Sequence, residues 1–242
     1  MRRKVILALG AVALPLLLRN LWVILFKIPD EMEQGPIYRI FYYHLPAFLT
    51  AACCYLTGLI ASAMYLAKKD QKYDAIAVSA TETGLAFAAV NLITGMIWGR
   101  ISWGIWWAWD PRLTWALICW LVYFGYLMLR SAIDDPTERA KNSAVLSVFA
   151  SASVAVTWKA IEWWRTQHPG PVLSIRTGGV QRIDPAMENM LYVNTFALLL
   201  LGTIFVLVRL RQEEVQREID ALRRWVYRRR GRMPTRCNKL KS

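Results

Sequence analysis

Apolar residues run for about 20 positions, the length that crosses a hydrocarbon core, six times along this 242-residue chain. The runs cover residues 5–26, 45–67, 75–97, 113–129, 144–161 and 189–208. Lipid offers no partner to backbone N–H and C=O groups, so each run is predicted to be an α-helix. The first is interrupted by Arg19 and Asn20, and the fifth is rich in Ser and ends near Lys159. The predicted fold is therefore an all-α integral membrane protein with six transmembrane helices. Three Asp-Pro pairs, Asp110-Pro111, Asp135-Pro136 and Asp184-Pro185, fit an N-cap followed by Pro at the first helical position. Pro46 fits the first turn of the second span, which would leave His44 just outside that helix. Beyond residue 208 the pattern changes. Val215, Ile219, Leu222 and Val226 keep helical spacing, but charge fills the positions between them. The expected division is a six-span domain, 1–208, and a basic amphipathic tail, 209–242, lying on an anionic leaflet.

Charge orients the spans. The chain carries a net +13, and Lys and Arg gather in alternate connections. One side holds Arg2, Arg3 and Lys4, then Lys68, Lys69 and Lys72, then Arg130, Arg139 and Lys141, and finally the tail. By the positive-inside rule this side is cytoplasmic, with both termini. Segments 27–44, 98–112 and 162–188 then lie outside. Basic charge arranged this way answers to membrane topology, so lipid is expected as a partner and nucleic acid is not. The N-terminus, Met1-Arg-Arg-Lys, leads into an apolar run reaching Phe26 with no small-residue cleavage site, which reads as an uncleaved first span. Of the cysteines, Cys53, Cys54 and Cys119 lie in apolar runs and Cys237 in the tail; none forms a C-x-x-C pair.

The unusual residues concentrate in the outer segments. Trp98, Trp103, Trp106, Trp107 and Trp109 fall within thirteen residues, interleaved with Gly99 and Gly104 and ending at Asp110. An interfacial belt accounts for one or two such Trp; five form a platform suited to a large planar apolar ligand. Asp110 reads equally as the cap of the next helix and as part of the platform. The chain has only two histidines, His44 and His168, and both fall outside. Neutral imidazoles are axial ligands for haem iron. Two of them would also suit copper or zinc, but the aromatic loop favours a porphyrin. Arg39, Arg100 and Arg112 lie close in sequence to these residues and are candidates for binding propionates, or are ordinary interfacial arginines. No G-x-x-x-x-G-K loop, Ser/His/Asp signature or C-x-x-C-H is present, so neither ATP hydrolysis, nor hydrolase chemistry, nor a c-type cytochrome is expected.

The loop Trp98–Asp110 resembles the tryptophan-rich WWD signature of the haem-handling proteins of cytochrome c biogenesis. With Gly35–Pro46, Glu162–His168 and Ile183–Met187, the chain is similar over nearly its whole length to the type C cytochrome c maturation proteins (the CcmC family). That resemblance implies two outer axial haem ligands, matched by His44 and His168, and a Trp platform for a transiently bound haem b. It implies residence in a bacterial inner membrane with the haem site facing the periplasm. It also implies delivery to a periplasmic haem chaperone (CcmE-like), alongside ABC transporter subunits (CcmA- and CcmB-like) and a small membrane subunit (CcmD-like), with no enzymatic step in this chain. A membrane cytochrome b-like redox protein is the competing expectation. Such proteins usually hold haem within the spans, often with a second haem across the membrane, and here both histidines are expected outside.

Overall fold

The computed structural model describes residues 2–170, 173–174, 179–180 and 184–230. Six helices follow in order: α1 (Arg2–Phe26), α2 (Phe41–Lys68), α3 (Gln71–Ser102), α4 (Pro111–Ala132), α5 (Pro136–Trp163) and α6 (Pro185–Arg230). A 3-10 turn, Pro36–Ile40, leads into α2. The only strands among the described residues are two-residue pieces, β1 (Leu173–Ser174) and β2 (Gly179–Val180), paired antiparallel between α5 and α6. All six helices are long and apolar enough to cross a membrane, and large apolar side chains such as Leu7, Ile60 and Phe149 face outward, as lipid contact allows. The chain is thus a multi-pass membrane protein.

The helix starts follow local chemistry. Asp110, Asp135 and Asp184 each accept a hydrogen bond from a backbone N–H two residues on, ahead of a proline in the first turn. Asp70 does the same for α3.

Polar groups stitch the bundle together. Asn20 and Asn194 are fully buried, and Asn20 donates to Asn194 at 3.1 Å, joining α1 to α6. The Asn194 amide donates in turn to the Tyr42 carbonyl at 2.5 Å. That carbonyl is free because Pro46, four residues on, has no N–H. At the opposite end of the bundle Asp74, only 3% exposed, receives both arms of Arg130 at 2.6 and 3.0 Å and Arg217 at 2.6 Å. Arg209 pairs with Glu82. These ion pairs tie α3 to α4 and α6.

Three boundaries differ from the sequence expectation. α2 begins at Phe41, so His44 lies within its first turn, and Pro46 is accommodated one turn further in. α3 continues through Ser102, which puts Trp98 and Arg100 on the helix and shortens the loop to 103–110. α6 runs unbroken through residue 209, where Arg209 and Arg217 both pair with Glu213 one turn away and sustain the helix.

Candidate functional site

The start of α2, the end of α3, the start of α4 and the segment after α5 meet at one end of the bundle. Here the two histidines come together: the ring centroids of His44 and His168 are 6.4 Å apart, with their planes 31° from parallel. They are 124 residues apart in the chain (168 − 44), and each is fixed by its own neighbours.

His44 is held from α3. Its Nδ1 lies 3.0 Å from the Thr94 hydroxyl. That hydroxyl has one proton, directed at the Val90 carbonyl at 2.7 Å or the Asn91 carbonyl at 3.0 Å. The Thr94 oxygen therefore accepts from His44, and Nδ1 carries the ring proton. Asn91 Nδ2 donates to the His44 backbone carbonyl at 2.9 Å and lies 3.2 Å from Nε2. Gly95 makes room for the ring; a Cβ there would come within 3.0 Å of His44 Cε1.

His168 is held through Asp110. One Asp110 oxygen caps α4 through the Arg112 N–H and accepts the Thr166 hydroxyl at 2.7 Å; the other accepts the Gln167 N–H at 2.8 Å. Thr166 in turn accepts the His168 backbone N–H at 3.0 Å. Burial works against the Asp110 charge, but the bonds from Thr166, Gln167 and Arg112 prevail and hold its carboxyl below the usual carboxylate range. Asp110 is therefore a cap and an anchor for the His168 segment at once. The His168 Nδ1 faces the Pro169 carbonyl at 2.9 Å, and since a carbonyl only accepts, that nitrogen bears the proton. Burial first, and then the charge of Arg112, push the pKa of His168 down to about 4, so the ring is neutral at physiological pH.

Both rings thus keep Nε2 as the lone-pair nitrogen, the form that binds a metal. An imidazole binds a metal at about 2 Å, so two rings on opposite sides of one ion have centroids about 6 Å apart once the ring radii are added. Among the described residues no cluster of three or more His, Cys, Asp or Glu exists. Structural zinc takes four protein ligands, whereas a porphyrin iron leaves two axial positions. The donor set fits haem.

The Trp residues divide into two pairs and a single ring. Trp98 and Trp103 meet edge to face at 4.9 Å, and Trp98 is anchored by its indole N–H on Gln34 at 2.8 Å. Trp107 and Trp109 meet edge to face at 5.9 Å. Trp106 and Trp109 are 56% and 78% exposed, offering free ring faces. Gly104, at φ 78°, makes the turn between the pairs, a backbone angle that L side chains avoid.

The three arginines separate clearly. Arg39 is paired with Asp30 at 2.8 Å, and Arg100 donates to the Gly104 carbonyl of its own loop. Arg112 lies over the Phe48 ring at 4.6 Å, donates to the Thr157 carbonyl, and is near enough to bear on both histidines. Trp115 and Trp164, stacked at 6.4 Å, extend the aromatic surface and escaped the sequence reading, as did Asn91 and Thr94 as partners of His44. Asn91 and Thr94 stand three apart in an apolar run, which marks a polar stripe on one helix face but not what it meets.

The Heme exporter protein C (CcmC) family profile matches residues 1–225. The chain belongs to this family. Among curated members it is 33% identical to Heme exporter protein C of Paracoccus denitrificans over 198 residues, 81% of each chain. It is 32% identical to that of Rhodobacter capsulatus over 214 residues, 88% of this chain and 87% of the relative. To the Escherichia coli K12 member it is 32% identical over 183 residues, 76% of this chain and 73% of the relative. The Heme exporter protein C match takes in His44, the Trp loop and His168 and ends within α6.

Proposed function

We propose that this chain holds haem between His44 and His168 at the periplasmic face of a bacterial inner membrane and gives it up to a periplasmic haem chaperone for c-type cytochrome biogenesis. Membership of the Heme exporter protein C family supports the role in haem export. The observation that carries the site is the opposed pair of imidazoles at 6.4 Å, each with Nδ1 tied to an acceptor. The excess of Lys and Arg at the other end of the bundle supports the orientation.

In this reading haem b is cargo, held transiently. The two neutral rings fill its axial positions, the exposed Trp faces cover porphyrin surface, and Arg112 is the arginine placed to meet a propionate. Holding both axial positions limits reaction with oxygen or small ligands while leaving a porphyrin edge for the next carrier. The chain carries no hydrolytic step of its own. Energy for release would come from ABC transporter subunits (CcmA- and CcmB-like), with a small membrane subunit (CcmD-like) completing the complex and a CcmE-like chaperone receiving haem.

The test is the absorption spectrum of purified protein. Wild type should show six-coordinate low-spin haem, His44→Ala and His168→Ala should each lose that spectrum, and the double variant should carry no haem while still inserting. Wild-type spectra in all three would overturn the assignment. A haem signal reversibly reduced by quinol would favour the cytochrome b-like reading instead.

A further inference from the structure

The two neighbours of the His44 ring act on it in opposite senses. Thr94 accepts from Nδ1. A partner on that nitrogen raises the basicity of the other, so Thr94 strengthens Nε2 as a ligand. Asn91 is different. Its amide nitrogen lies 3.2 Å from Nε2 and 3.3 Å from Nδ1, near the Cε1 edge of the ring. With one N–H committed to the His44 carbonyl at 2.9 Å and Nδ1 already protonated, the second N–H has Nε2 as its ring acceptor. Asn91 is itself buried, with a relative exposure of 8%, so no bulk water competes for that proton.

We infer that Asn91 is a built-in competitor for the lone pair of His44, which keeps this axial bond the weaker of the two and times the surrender of haem. This rests on the reading of His44 as an axial ligand. When iron binds, the Asn91 N–H···Nε2 hydrogen bond breaks and the same lone pair forms the dative bond. On release the dative bond breaks, the pair stays on nitrogen, and the hydrogen bond re-forms. No electron or proton changes owner. His168 meets no such rival: its one ring bond runs to the Pro169 carbonyl. Asn91 is in this sense a positioning residue, acting on haem only through His44.

The experiment is haem loss from purified, haem-loaded protein to excess apomyoglobin, followed by absorption. One net hydrogen bond alters such an equilibrium by about 2- to 10-fold. Asn91→Leu should therefore lose haem about 2- to 10-fold more slowly than wild type. Thr94→Val should lose it faster by a similar factor. Asn91→Ser, smaller and still polar, serves where Leu prevents insertion, and should also slow the loss. A second reading needs no haem: the 15N resonance of His44 Nε2 in the haem-free protein should move toward that of an unbonded nitrogen in Asn91→Leu. Faster or unchanged loss in both Asn91 variants, or an unmoved resonance, would overturn the inference. Haem loss unaffected by His44→Ala would instead remove the ligand reading beneath it, a distinct result.

Discussion

Asp110 shows how much one side chain can carry. Its carboxylate closes the first turn of α4 and fixes the two residues before His168, so two outer segments 56 residues apart share one anchor. Asn caps a helix as well as Asp does, but its NH2 would face the Gln167 N–H. Asp110→Asn should therefore leave thermal stability within about 0.5 kcal/mol of wild type yet lower haem occupancy, while Asp110→Ala should lose about 1 kcal/mol as well. Melting and haem content measured on the same samples separate the two roles; equal haem content in all three would reduce Asp110 to a cap. Gly95 makes the second prediction at this scale. Any side chain there presses on His44 Cε1, so Gly95→Leu should displace the ring and give the His44→Ala spectrum with both histidines still present. Of the residues at this site, the two histidines and the Trp cluster were legible because they are rare types in a distinctive run. The ties from Asp110 to Thr166 and Gln167, and from Asn91 to His44, were not. They join positions far apart in the chain, and a single Asn in an apolar span reads equally well as glue between any two helices.

Among the elements, the six spans were legible from length and hydropathy alone, since few other sequences sustain such runs. The ends were harder. Trp98, Gly99 and Arg100 read as loop because Gly and clustered Trp mark irregular backbone, yet the helical hydrogen bonds of α3 continue to Ser102. The onset of charge at Arg209 read as a boundary, whereas the i,i+4 pairs with Glu213 carry the helix through it. The ion cluster around Asp74 belongs to this scale because it joins three helices. Removing one partner from a buried pair leaves an uncompensated charge and costs about 3–5 kcal/mol. Asp74→Ala strands both Arg130 and Arg217 and should fall in that range by thermal unfolding in detergent. A loss under about 1 kcal/mol, the size of an exposed pair, would show that water reaches the cluster.

For the whole molecule, the two ends of the bundle hold different chemistry: neutral imidazoles and aromatic faces at one, locked ion pairs at the other. Only α6 has a long extension beyond its apolar run, and only through Arg209 and Arg217 does that extension grip the body. A chain ending after Arg217 should keep normal stability and haem content. One ending before Arg209 should lose several kcal/mol, since Glu82 gives up its partner and Asp74 one of its two. If the longer truncation melts as wild type, the ion pairs are passengers.

The depth of the histidine pair has a consequence for solubility. Asn91, which touches His44, stands 20 residues along α3 from Gln71 (91 − 71). At 1.5 Å per residue that is about 30 Å, one full hydrocarbon thickness. The pair is therefore level with the far boundary of the acyl chains rather than out in water. A flat, greasy guest seated there keeps its hydrocarbon rim among lipid tails and needs only its two acid groups to reach the headgroups. For a molecule that self-associates in water, such a berth is storage as a monomer, and the hard part of the journey becomes the lift from that shoreline into a water-borne carrier.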